Sequence, residues 1–339
     1  MNTQKSFKIF LTVFFVLFFF SCSEGDTMFD EKVIEIERTI KDTTQTTNNN
    51  NNDSTNTDPP SIIIIKDTIK LSYEKYMTLN CTVSSGQGAA CYGKYLIQCF
   101  NYNPAIEIFD LEKKEYVCKV ASPYPGNKTH ANTVNFGNQK FSPDDYFPLL
   151  YISSGYGYYS GKAYWTSIYV YRLTKQTDST GTESFNLEYV NTITLKGFNY
   201  WTEGIIDNEN NKLWVKYDDS GININYACFE MPRFEDGNVS INRADAIQDF
   251  SLGVQPFTSS NQGHLFHNGK ILLVSGTSPA SQKLAFIVID PTLQERELVI
   301  DLNDIGLSSE PENLFFYDGQ MMIGYRGAVY KFNLYPLNK

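Results

Sequence analysis

The chain has 339 residues, with 38 acidic against 28 basic side chains, a net charge of −10 and a pI near 4.9. That balance, with no Arg-rich stripe, argues against a nucleic-acid partner. Three histidines, no Asp-x-Asp-x-Asp-Gly loop and no Cys-x-x-Cys pair lead to the expectation of no metal or other cofactor. The acidic runs "DNENNK" from Asp207 and "YDDS" from Tyr217 read first as turns, with calcium as the alternative.

The first elements concern export. Lys5 and Lys8 precede an apolar run from Ile9 to Phe20, followed by Ser21 and Cys22. A basic start, a short apolar core and a small residue before the cut make a secretory signal peptide, residues 1–21. The run is shorter than the roughly 20 residues of a permanent membrane span. With Cys22 directly after the small residue, the segment resembles bacterial lipoprotein signals, although Phe19 stands where the usual pattern has Leu. The resemblance implies lipidation of Cys22, for instance with palmitate, and an outer-membrane lipoprotein that meets the membrane through its anchor alone. Ser23, Glu24, Gly25 and Asp26 look like the acidic export tags of surface-displayed lipoproteins, which implies exposure at the cell surface, with a periplasm-facing protein as the alternative.

Residues 22–60 read as a tether. Residues 23–60 carry nine acidic and three basic side chains, an Asn run from Asn48 to Asn52, and Asp58-Pro59-Pro60. Such a composition buries too little apolar surface to offset chain entropy. Val33–Ile40 alternates apolar and charged residues, which permits a stray strand.

From Ser61 to Lys339 the pattern is that of one β-rich domain. Short runs with period-two alternation and aromatic or β-branched residues are bounded by Gly, Asn, Asp or Pro turns. They recur as a degenerate repeat of four strands. The first copy has strands at 95–100, 106–111 and 116–120, and the second at 147–153, 167–173 and 187–195. The third has strands at 212–217 and 222–229, with a poorly defined outer strand before Leu252. The fourth places them at 270–275, 284–290 and 297–302, the fifth at 320–325 and 329–334. The fifth copy ends one strand short, and Ile62–Leu71 is the natural donor. Closing the ring this way leaves no bare sheet edge. The expectation is an all-β, five-bladed β-propeller closed by an N-terminal strand, with six blades as the alternative if the stretch from His130 to Glu203 holds an extra one. Five cysteines remain after Cys22, an odd number without framework spacing, so a single disulfide among the four from Cys81 to Cys118 stays open.

The runs "QGAACYGKYLIQCF", "IEIFDLEKKEYV", "HANTVNFG" and "DDYFPLLYISSG" resemble the small secreted propeller lipoproteins of gut anaerobes. They are more distantly similar to helveticin-J and teichoic-acid-associated propellers. The resemblance implies the fold over residues 80–335 and no particular activity.

In a propeller, the starts of the innermost strands converge on one mouth of the central channel. Gln87, His130, Asn132 and Glu203 fall there, as do Gln262, His264, Glu310 and Glu312. The loops on the same face offer Tyr156, Tyr158, Tyr159 and Trp165, and Trp201 stands just before Glu203. Aromatic rings flanked by carboxylates, amides and imidazoles suit sugars, whose C–H faces stack while their hydroxyls need fixed partners. A ligand-binding mouth, most simply for a glycan, is the leading expectation. A protein-interaction scaffold for an envelope protein, using the same aromatics as an anchor patch, is an alternative. Glu203, Glu310 and Glu312 also leave open a glycan-cleaving hydrolase or lyase, although no catalytic motif surrounds them. Polar side chains at blade starts also commonly cap backbone groups around the channel, a reading that needs no ligand.

Overall fold

The hairpins turn where the sequence marks them. Asn268-Gly269 and Asp318-Gly319 both have positive φ at the two central positions, 50° and 72°, then 49° and 69°. This is the primed-turn geometry whose twist matches that of the flanking antiparallel strands. Gly93, at the first hairpin, is likewise left-handed with φ 57°.

The structure, a computed structural model, describes residues 30–41, 62–83, 86–100, 105–122, 131, 133–154, 158–159, 162–163, 167–198, 201–218, 223–254, 261–276, 284–304, 306–307, 309–325 and 327–335. From the N-terminus, β1 (Asp30–Lys41) and β2 (Ile62–Thr78) precede the blades. The first blade is β3 (Gly86–Tyr92), β4 (Tyr95–Phe100), β5 (Ala105–Asp110) and β6 (Glu115–Ala121), in that order across the sheet. The second begins with β7 (Val134–Phe136) and β8 (Leu150–Ser154). A small hairpin follows, β9 (Tyr158–Tyr159) with β10 (Lys162–Ala163). The blade is completed by β11 (Ser167–Thr177) and β12 (Glu183–Lys196).

The third blade is β13 (Thr202–Asp207), β14 (Lys212–Tyr217), β15 (Asn223–Glu230) and, outermost, β17 (Gln248–Val254). Between the last two strands, β16 (Val239–Asn242) leaves this sheet and pairs in parallel with the end of β12. The fourth blade is β18 (Asn261–His267), β19 (Lys270–Ser275), β20 (Ala285–Asp290) and β21 (Glu295–Asp301). The fifth contributes β22 (Pro311–Tyr317), β23 (Gln320–Tyr325) and β24 (Ala328–Tyr335). The architecture is an all-β, five-bladed β-propeller. The stretch between blades one and three holds one blade and the short β9–β10 hairpin, so the six-bladed alternative falls away.

The chain divides into two compact units, residues 75–331 and residues 1–74 with 332–339. In the larger unit the core lies between blades, which explains why its strands read as near-continuous apolar runs. Neighbouring residues of a strand face opposite ways. On β4, Tyr95, Ile97 and Cys99 pack toward the second blade, whereas Leu96 packs with Phe315, Met322 and Val329 of the fifth. On β14, Leu213, Val215 and Tyr217 face the second blade's Ile168, Val170 and Ile193, while Trp214 faces Phe266 and Ile271 of the fourth. Each fully buried Leu, Ile or Val on such a face contributes about 1.5–3 kcal/mol by leaving water. At the rim of the second blade, the Arg172 guanidinium grips Asp145 with two hydrogen bonds of 2.8 and 2.9 Å. That hydrogen bonding holds the Asp145 carboxyl below the ordinary carboxylate range.

In the smaller unit, β1 and β2 form an antiparallel ladder running from Asp30↔Tyr73 to Lys41↔Ile62. β1 falls inside the stretch whose composition reads as tether, on the segment whose alternation permits a strand. Asn333 Nδ2 donates to Ser72 Oγ at 3.1 Å. The order of the fifth sheet is β1-β2-β24-β23-β22. The donor segment expected from the sequence does lie beside β24, but in a five-stranded sheet with β1 outermost. The fifth sheet is therefore not a four-stranded blade completed by one borrowed strand. Cys81, Cys91, Cys99, Cys118 and Cys228 are all free thiols. Burial pushes Cys91 and Cys99 up to about 12. Among the described residues, no helix is long and apolar enough to cross a membrane.

Candidate functional site at the blade starts

Each pair of neighbouring blades is joined close to its innermost strands by a polar contact. Gly88 N–H of blade one donates to the Ala131 carbonyl, just ahead of β7, at 2.6 Å. The Thr133 hydroxyl of blade two donates to Glu203 Oε2 at 3.1 Å. That same oxygen is 2.7 Å from Nδ1 of His264 on β18. Gln262 Nε2, also on β18, donates to Glu310 Oε1 at 2.8 Å and to the Gly276 carbonyl at 3.1 Å. Asn313 Nδ2 of blade five donates to the Gln87 carbonyl at 2.7 Å, which Gln98 Nε2 also reaches at 2.8 Å. The polar residues at the blade starts thus hold one another in a circle around the channel.

Close backbone approach makes this circle possible. A Cβ on Gly263 would sit 2.5 Å from Asn313 Cα and 2.9 Å from Leu314 N, and one on Gly324 would sit 2.1 Å from Asn313 Oδ1. Only glycine lets β18 lie against β22, and the Asn313 amide against β23, at these distances.

Glu203 is the hub. It is 1 % exposed and accepts from Thr133 and from the Trp201 indole N–H, the latter at 2.7 Å. Because the carboxylate faces Nδ1 of His264, that nitrogen carries a proton. His264 Nε2 is buried and has no hydrogen-bond partner among the described residues, as is true of Gln87 Oε1, Gln262 Oε1 and Asn313 Oδ1. In the strand register Glu203 stands opposite Lys216, and Lys216 opposite Tyr226. Directly opposed residues share a face, so all three side chains lie on the side of blade three that carries Trp214 and packs on blade four. Lys216 is 3 % exposed. Burial pushes its pKa below the ordinary lysine value, against the opposing pull of Glu203 and Asp218. The Tyr226 hydroxyl is raised, first by burial and then by the charge of Glu203. Its ring meets His264 edge-on, with centroids 6.3 Å apart.

The structure therefore brings together Glu203, His264 and Trp201, pairs Gln262 with Glu310, and sets Gln87 against blade five. Glu312 is buried at 1 % exposure. His130, Asn132, Tyr156, Trp165 and Cys22 lie outside the described residues. Tyr158 and Tyr159 form β9, and their side chains also lie outside the description. Asp207, in the acidic run after blade three's first strand, spends one carboxylate oxygen on the Glu209 and Asn210 N–H groups of its turn. Among the described residues, no group of three or more His, Cys, Asp or Glu is placed to hold a metal ion.

Sequence reasoning missed Thr133, Lys216, Tyr226 and the bridging role of Asn313. Lys216 did leave a signal: it is the one charged residue inside "LWVKY", a run otherwise made of core residues.

No family model matches the chain, and no curated protein matches it. Among solved structures, it is similar to the Myxococcus xanthus glutaminyl cyclase, at 12% identity and a TM-score of 0.44, covering 77% of this chain and 96% of that one. It is also similar to the PQQ-bound aldose sugar dehydrogenase of Streptomyces coelicolor, at 8% identity and 0.46, covering 78% and 98%. Hydrazine synthase of Kuenenia stuttgartiensis aligns at 12% identity and 0.38, over 71% of this chain, which spans 62% of that one. Likenesses this distant carry no inference about chemistry.

Proposed function

We propose that this protein is a lipid-anchored propeller of the cell envelope that binds a glycan at the mouth of its central channel. The observation that carries the reading is the fixed placement of an aromatic ring beside the polar circle. The indole N–H of half-buried Trp201 is held on Glu203, whose carboxylate is itself held by Thr133 and His264. A ring set in advance next to hydrogen-bonding groups suits the C–H face and hydroxyls of a sugar at low ordering cost. The anchor rests on the Ser21-Cys22 junction and its apolar leader, and its resemblance to the secreted propeller lipoproteins supports the same location. Acylation is read directly by mass spectrometry of the mature N-terminal peptide.

Binding is tested by presenting the full chain to a broad glycan panel and analysing the products of every hit. Trp201→Ala is expected to weaken saturable binding by at least about tenfold, as loss of a buried aromatic anchor does. An unchanged affinity, or no hit on a well-covered panel, overturns the glycan reading. A second reading is favoured by one observation, the buried Glu203–His264 pair at 2.7 Å, which is the arrangement of a carboxylate-oriented imidazole base. If the protein cleaves a glycan, Glu203→Gln should remove turnover by about 10²-fold or more while leaving binding in place. Hits without released sugar leave the protein a binder.

A further inference from the structure

Lys216 occupies a core position on β14, 3 % exposed, on the face of blade three that packs against blade four. No hydrogen bond or ion pair joins it to any described residue, although the charges of Glu203 and Asp218 act on it at longer range. Holding an ammonium at so buried a position is costly, which shifts the balance toward the free amine relative to an exposed lysine. A free amine has a lone pair and is a nucleophile at a pH where exposed lysines are almost wholly protonated. Its neighbours are the groups that carbonyl addition needs. Tyr226 lies beside it in the register, with a buried hydroxyl that has no partner among the described residues. Across the strand pair stands Glu203, coupled to the imidazole of His264. The remaining charged group that acts on Tyr226 is Arg296, whose own pKa is lowered by burial.

We propose that Lys216 is a covalent capture site for aldehydes, forming a reversible imine with a small hydroxy-aldehyde such as the open-chain form of a sugar. The nitrogen lone pair adds to the carbonyl carbon, forming the C–N bond, and the carbonyl oxygen takes a proton from the Tyr226 hydroxyl. The nitrogen then gives one proton to the Glu203–His264 pair, which passes it to the carbinolamine hydroxyl so that this leaves as water, and the last N–H proton returns to the tyrosinate, restoring Tyr226. The net change is amine plus aldehyde to imine plus water, with no oxidant or reductant consumed. The site shares the Glu203–His264 pair with the channel mouth, but imine formation does not require that a glycan bind there.

The test is reductive trapping. The full chain is treated at neutral pH with glycolaldehyde and cyanoborohydride, and the modified lysines are identified by peptide mapping. Lys216 is expected to be alkylated about tenfold faster than exposed Lys113, in line with the larger free-amine fraction of a lysine whose pKa is lowered. Lys216→Met should lose that adduct while Lys113 still reacts. Labelling of Lys216 slower than, or equal to, that of Lys113 overturns the proposal. The wild-type map alone decides the matter if the variant does not fold. Tyr226→Phe adds a check on the mechanism: slower trapping at Lys216 with Lys113 unchanged is expected, and an unchanged rate at Lys216 removes Tyr226 from the addition step.

Discussion

Two arcs of the same circle solve one problem in different ways. Around blades five and one a neutral amide does the joining: Asn313 donates to the Gln87 carbonyl, which Gln98 of the same blade as Gln87 also reaches. Around blades two, three and four the joining groups are ionisable, with Glu203 between Thr133 and His264 and with Lys216 opposite. Amides bridging backbone carbonyls satisfy groups that would otherwise be orphaned, at modest desolvation cost. A carboxylate, an imidazole and an amine buried together are far more expensive and are poor fasteners compared with apolar residues of the same size. The amide arc is explained by closure of the fold. The ionisable arc is left needing a chemical reason.

The amide arc should therefore be the fragile one. Gly263→Ala would push a methyl group into the Asn313 backbone, and because backbone cannot yield as a side chain does, we expect a loss of about 3 kcal/mol. Urea unfolding reads it; a loss below 1 kcal/mol would mean that β18 and β22 can move apart. Asn313→Ala removes one of two donors from the Gln87 carbonyl, and the expected cost is about 2 kcal/mol. The smallest effect belongs to the ionisable arc. Lys216→Met puts an apolar chain of similar length at a buried position and should be neutral or stabilising by about 1 kcal/mol at neutral pH.

The pH dependence sharpens that last comparison. With the folded-state pKa of Lys216 below its ordinary value of 10.5, the unfolded chain binds more protons between the two values. Stability of the wild type therefore rises with pH through that window. The difference between wild type and Lys216→Met isolates this one group from the other titrating lysines and tyrosines. A flat difference would mean that Lys216 is charged in the fold.

Much of the architecture could be read before any coordinates. Tyr95–Phe100, Lys212–Tyr217, Lys270–Ser275 and Gln320–Tyr325 are strands at the limits read from the chain, and a turn residue with positive φ marks the start of each run. The outer strands were less legible. β17 is half exposed and polar, and β12 runs from Glu183 rather than Leu187, since outer strands carry a weaker apolar signal. The participation of β1 in the fifth sheet depended on pairing with β2, which lies beyond the Asn run and leaves no local trace.

The site divides in the same way. Glu203, Gln262, His264 and Glu310 were legible because each blade start repeats a polar residue beside a short strand. That Glu203 would meet His264, 61 positions later, and that Gln262 would meet Glu310 was not, because those contacts cross blade boundaries.

The sequence by itself determined the inner strands, their turns and a repeat that makes a propeller of five or six blades, because period-two burial and left-handed turn residues are local properties of a chain. Only the tertiary structure decided which polar groups face one another. It set Lys216, one more alternating residue along "KLWVKY", inside a core beside a carboxylate, because what a side chain meets across an interface between blades depends on register and neighbouring sheets rather than on its neighbours in the chain.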